Sequence, residues 1–180
     1  AGQFLSKNGL GEAAVIGFFL GGGARVGKGG EVRRWPPESY AQLAEKLIEK
    51  TGRPIILISS PKEEDVCLSV AERMVRRPVM ASRTSLGEAA ALIERCRFVV
   101  LNDGGPVHIA AGVGARMMAF FGPVDPVVYG PYPSKGHVIV TKGLPCQPCY
   151  RNFRMSDCSH ANCLKTLTVD EVFRKVAGLL

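Results

Sequence analysis

Short, nearly all-apolar runs alternate along this chain with stretches of helical periodicity, which limits the folds open to it. Ala14–Leu20, Ile55–Ser59, Val79–Met80, Phe98–Leu101, Ala115–Phe120 and Val138–Thr141 are each too short to argue for a helix, and several run straight into Gly, Asn or Pro turns. Between them, Tyr40, Leu43, Ala44, Leu47 and Ile48 mark one face of a helix that Pro36 and Pro37 open and that ends near Thr51-Gly52. Val66, Val70 and Met74 mark a second helix, Glu63 to Val75, and Leu86, Ala89, Leu92 and Ile93 a third that Thr84 or Ser85 caps. A short helix is expected after Asn102-Asp103-Gly104-Gly105, and the last opens with the capping box Thr168-x-x-Glu171 before Val172 and Val176. Strands that alternate with helices, each nearly all apolar, belong to a parallel sheet covered on both faces. The predicted fold is therefore α/β, a Rossmann-like doubly wound parallel sheet without internal repeats, whose ligands lie at the C-terminal ends of the strands.

The chain is long enough, at 180 residues, for one such unit with a real core, and residues 1–180 read as a single domain. No apolar run approaches the roughly 20 residues of a membrane span, since Ala13–Leu20 stops at three glycines. The sequence opens Ala-Gly-Gln-Phe, with neither a Met nor a basic stretch leading into an apolar core, so it reads as an excised piece of a cytoplasmic protein. Lys and Arg outnumber Asp and Glu 23 to 16, and the resulting +7 favours anionic ligands, although clusters such as Arg76-Arg77 read as solvated surface.

Two strand exits carry the chemistry. The first, Gly21 to Gly30, contains Gly22-x-x-x-x-Gly27-Lys28, close to a phosphate-binding loop, but Gly29 stands where a magnesium-binding hydroxyl is needed and no helix follows the lysine. Arg25, Lys28, Arg33 and Arg34 would still let this loop wrap a diphosphate with N–H groups and fixed charge. The second, Asp103-Gly104-Gly105-Pro106-Val107-His108, sets a carboxylate, two glycines and an imidazole around a strand-to-helix corner, where a ligand approaches the backbone closely and Asp103 accepts from sugar hydroxyls. No Gly-x-Gly-x-x-Gly opens a helix after the first strand, which disfavours a dinucleotide-dependent oxidoreductase.

Arg33-Arg34-Trp35-Pro36 leading into Tyr40-Ala41-Gln42-Leu43-Ala44, Leu101-Asn102-Asp103-Gly104-Gly105-Pro106-Val107-His108-Ile109-Ala110-Ala111, and Phe121-Gly122-Pro123-Val124-Asp125-Pro126 together resemble the heptosyltransferases of lipopolysaccharide synthesis. The resemblance covers most of the chain and corresponds to the C-terminal, donor-binding half of the two-domain GT-B fold. It implies an ADP-heptose-type donor, a lipopolysaccharide core acceptor bound through the N-terminal half, peripheral association with the inner membrane face, and no required cofactor. It further implies that Gly22, Gly23, Ala24 and Arg33 contact the diphosphate, with Lys28 a further contact. Glu63 or Glu64 would approach the ribose, Thr84 would border the adenine, and Asp103, Gly104 and Gly105 would meet diphosphate and sugar with support from His108. Trp35 reads as a packing residue rather than a base stacker. In the family the general base is a carboxylate of the other half, so no catalytic residue is expected here.

Six cysteines divide into Cys67 and Cys96, read as buried helix residues, and a cluster in the Cys-rich loop 142–167: Cys146-x-x-Cys149, Cys158 and Cys163, with His160 between the last two. The cluster spacing admits a zinc site of four thiolates, or of three with His160, as well as plain reduced thiols. That leaves an alternative of a different class, a zinc-stabilised basic module that binds nucleic acid, disfavoured because the basic residues lack interleaved aromatics; no nucleic-acid partner is expected.

Overall fold

The computed structural model describes residues 1–11, 13–21, 31–133, 136–152, 154–177 and 180. Six strands form one sheet: β1 (Val15–Phe19), β2 (Ile55–Ile58), β3 (Val79–Ala81), β4 (Cys96–Asn102), β5 (Met117–Phe120) and β6 (Val138–Val140). Their order is β3-β2-β1-β4-β5-β6, and every neighbouring pair is parallel. The order reverses between β1 and β4, and a doubly wound sheet opens its ligand crevice at that reversal.

The helices are α1 (Gly2–Lys7), α2 (Pro37–Thr51), α3 (Glu64–Ala71), α4 (Leu86–Arg95), α5 (Gly105–Gly112), α6 (Pro126–Tyr129), α7 (Asn162–Lys165) and α8 (Val169–Val176). Side chains alternate across the sheet, as the period of two requires. Ile16, Phe18, Phe98, Val100, Met118 and Phe120 pack with Leu43 and Leu47 of α2, Val70 of α3 and Val172 and Val176 of α8. Val15, Phe19, Val99, Leu101, Met117 and Ala119 face Leu92 and Ile93 of α4 and Val107 and Ala110 of α5. Each such fully buried side chain contributes about 1.5–3 kcal/mol, so the two apolar layers dominate stability.

The capping box of Thr168 and Glu171 holds at α8; at α4 the cap is Ser85, not Thr84, and it forms a second capping box with Glu88. Helix α2 ends at Gly52 in the left-handed conformation, which glycine adopts freely. Other expectations need correction. The helix expected over Glu63–Val75 is a single tight turn, Pro61–Glu63, followed by α3, and the chain leaves it at Glu72. The strand expected from Ala115 begins at Met117. Cys96 opens β4 instead of ending a helix, because the apolar strand begins where the periodicity of α4 runs out. A two-stranded antiparallel hairpin, β7 (Tyr150–Arg151) and β8 (Arg154–Met155), is also present. It, α6 and α7 are only two to four residues per element, too short for periodicity to reveal. Among the described residues no helix is long and apolar enough to cross a membrane.

One aromatic cluster fixes the segment that matters for the site. Trp35 is buried, stacks on Phe120 with centroids 4.9 Å apart, meets Tyr40 edge-on at 5.2 Å, and donates its Nε1–H to the Leu167 carbonyl at 3.0 Å. An indole buried with its N–H satisfied is a strong anchor. It holds the chain just after Arg33 and Arg34 against the core, and the packing role expected of it is the one it has.

Candidate functional site

The ends of β1 and β4 are joined by a buried polar chain. Tyr40 donates its hydroxyl to Asn102 Oδ1, and Asn102 Nδ2 donates to the Leu20 carbonyl at 2.7 Å. Buried polar groups persist where every member is satisfied, so this link fixes the spacing of the two strand exits. Burial also pushes the Tyr40 hydroxyl well above the usual phenol range, which keeps it a donor. Asp103 continues the ladder by donating its N–H to the Phe120 carbonyl at 2.9 Å. Gly104 then adopts φ 136° and ψ −165°, a conformation closed to side-chain-bearing residues, and the chain turns into α5. The N–H of Val107 is already donated to the Gly104 carbonyl at 3.1 Å, and Pro106 has none.

Arg33 closes a short helical turn, Glu31–Arg33, and reaches across to this corner. Its Nε lies 3.2 Å from Asp103 Oδ1 and 3.1 Å from Oδ2, and its Nη2 lies 2.5 Å from Oδ2 and 3.5 Å from the Asp103 carbonyl oxygen. A guanidinium forked on a carboxylate in this way is oriented as well as attracted. Asp103 is 1% exposed; burial pushes its carboxyl up from the ordinary value and Arg33 offsets part of that rise. The carboxylate, expected to face sugar hydroxyls, here orients Arg33 and has almost no open surface. A recess of about 180 Å³ opens on the corner, lined by Arg33, Asp103, Gly104, Gly105 and His108 together with Val124, Tyr129 and Tyr150. His108 is exposed.

The remaining expected residues lie in three places. Gly22, Gly23, Ala24 and Lys28 fall outside the described residues. Glu63 is buried below the β1 exit, accepts from Ser60 Oγ at 3.0 Å, and has an Arg34 nitrogen 3.6 Å away; its carboxylate lies so close to Gly21 that a Cβ there would overlap it. Glu64, offered as its equivalent, points elsewhere: it accepts from Ser82 Oγ at 2.7 Å and has Arg83 Nε at 3.7 Å. Thr84 donates its hydroxyl to the Ser59 carbonyl at 3.1 Å, just past the end of β2. A larger hollow of about 590 Å³, lined by residues including Arg34, Pro37, Asp65, Ser69 and Lys165, contains Arg34 alone of the residues expected to contact the ligand. Tyr129 and Tyr150 were not expected at all; they belong to short elements, and the only signal was an aromatic directly after Cys149.

The four-thiolate zinc site is not assembled. Among the described residues no three His, Cys, Asp or Glu side chains stand where they could hold one metal ion. Cys163 is buried with its Sγ toward Gly122, and burial, followed by the neighbouring cysteines, pushes its thiol up to about 11, whereas Cys146 is exposed. Cys158 accepts the Ala161 N–H at 3.4 Å. Cys67 and Cys96 are buried, and burial pushes both thiols up to about 12.

Comparison with known proteins gives the chain its relatives. Residues 8–160 match the model of glycosyltransferase family 9 (heptosyltransferase). The lipooligosaccharide heptosyltransferase 2 of Haemophilus influenzae is 36% identical over 135 residues, covering 72% of this chain and 37% of the relative. The E. coli ADP-heptose LPS heptosyltransferase II superposes with a TM-score of 0.77 at 24% identity, over 98% of this chain and 50% of its own. E. coli heptosyltransferase WaaC, solved with ADP, superposes with a TM-score of 0.69 at 23% identity, over 94% of this chain and 45% of its own. The chain therefore spans half the length or less of these proteins. The extent of the match displaces a nucleic-acid-binding module as the reading of the basic residues, and the chain belongs to glycosyltransferase family 9, the heptosyltransferases.

Proposed function

We propose that this chain is the donor-binding half of a two-domain GT-B glycosyltransferase, and that it takes an ADP-activated heptose or related sugar destined for a lipopolysaccharide core acceptor. The observation that carries the reading is the Arg33–Asp103 fork at the β1/β4 reversal, beside a glycine corner that lets a ligand approach the backbone. Departure of a nucleoside diphosphate leaves charge that a fixed guanidinium stabilises, and Arg33 is oriented for that task before any ligand arrives. Gly22, Gly23, Ala24 and Lys28 complete the diphosphate seat in this proposal, while Thr84 lies toward the nucleoside and the buried Glu63 braces the β1 exit.

Sugar transfer with inversion also needs a base for the acceptor hydroxyl. Asp103 is a poor candidate, being buried and bound to Arg33, so we assign the base to the partner half, together with acceptor binding at the inner face of the cytoplasmic membrane. Relatives named for ADP-heptose and solved with ADP support the adenine choice. Calorimetric titration of the chain with ADP-, UDP- and GDP-activated sugars tests the proposal. The ADP-activated sugar should bind tightest; equal affinity for all three, or no binding, would overturn it.

A further inference from the structure

The recess beside Asp103 has a second wall that the diphosphate does not need. Tyr129, the last residue of α6, and Tyr150, the first of β7, meet edge to face with centroids 5.6 Å apart and planes at 69°, and both line the same space as Arg33, Gly104 and His108. Two independent devices place them. Asp125 Oδ1 accepts the Val127 N–H at 2.8 Å and starts α6, while the N–H groups of Cys149 and Tyr150 both donate to the Pro123 carbonyl at 2.9 Å. The cysteine-rich segment is thus pinned to the strand-exit loop and delivers a tyrosine to the site. Both rings are half-buried, and among the described residues neither phenol hydroxyl has a hydrogen-bond partner.

Volume and chemistry select the occupant. A recess of about 180 Å³ is smaller than the roughly 300–1,000 Å³ that encloses a drug-sized ligand, so it accepts one ring and not a whole nucleotide. A sugar ring presents C–H groups on its face and hydroxyls at its edge. The negative face of an aromatic ring attracts the C–H groups, and the two phenol hydroxyls and the exposed His108 imidazole suit the hydroxyls.

We infer that Tyr129 and Tyr150 form the sugar subsite of this domain, gripping the monosaccharide of the donor while the Arg33 corner holds its diphosphate. This rests on the nucleotide-sugar reading given above. Affinities of ADP and of an ADP-activated heptose or hexose, measured by calorimetry on the whole chain, test it. Tyr129→Ala and Tyr150→Ala should each weaken the nucleotide sugar roughly three- to tenfold and leave ADP within about twofold, and the Phe variants, which keep the ring face, should recover most of the loss. Should Tyr150→Ala disturb the hairpin, Tyr129→Ala and Tyr150→Phe still decide. If ADP binds and the preference for the sugar-bearing ligand is unchanged in the Ala variants, the subsite is refuted while the nucleotide reading stands. If the unaltered chain fails to bind ADP, the nucleotide reading falls and the subsite with it.

Discussion

Two consecutive arginines make opposite use of similar partners. Arg33 forks onto Asp103 with its closest contact at 2.5 Å, on the recess at the β4 exit. Arg34 lies 3.6 Å from Glu63, beneath the β1 exit, and its buried Nε has no partner among the described residues. One turn of chain, anchored by Trp35, sends Arg33 to the recess at the β4 exit and Arg34 to the hollow beside Pro37 and Ser69. Charge alone therefore does not mark a binding residue; what marks Arg33 is a forked partner that fixes its orientation at the glycine corner of the strand reversal. Arg34 with Glu63 instead braces the strand exit against which the carboxylate lies.

The comparison breaks most sharply at the glycines. Gly104→Ala forces a side chain into φ 136°, and such strain costs on the order of 1–3 kcal/mol, so urea unfolding should show that loss together with weakened ADP binding. Gly21→Ala should act on the other pair, pushing the Glu63 carboxylate aside and lowering stability with less effect on ADP. If the two variants behave alike in both measurements, the division of labour between the pairs is wrong.

A smaller effect sharpens the same contrast through pH. The folded carboxyl of Asp103 titrates above its ordinary value, about 3.9 in unfolded chains, so between the two values the folded chain binds more protons than the unfolded one. Its contribution to stability therefore falls as pH rises through that window. Asp103→Asn lacks this titration, and its melting temperature relative to the unaltered chain should rise as pH increases through the window and level off above it. A difference that moves the other way would mean that Arg33 outweighs burial.

The sheet was legible because its signals are local: apolar strands, helical faces and two capping boxes each sit within a few residues of sequence. The corner at the β4 exit was legible too, since Asp103, Gly104, Gly105 and His108 are close enough in sequence to share it. The pairing of Arg33 with Asp103 was not, because it spans 70 residues and depends on how Trp35 is buried. Glu63 and Glu64 could not be separated in sequence, as their difference arises from the tight turn Pro61–Glu63 that aims one inward. Tyr129 and Tyr150 come from elements of four and two residues, which leave no periodic trace.

Titrating ADP into Arg33→Ala and Arg34→Ala side by side shows whether the Arg33 corner seats the donor diphosphate and Arg34 does not. Loss of a charge-assisted contact corresponds to about 1.5–3 kcal/mol, so Arg33→Ala should weaken ADP roughly ten- to a hundredfold, and Arg34→Ala only a few-fold. Unchanged affinity in Arg33→Ala, with the fold intact, would contradict the account.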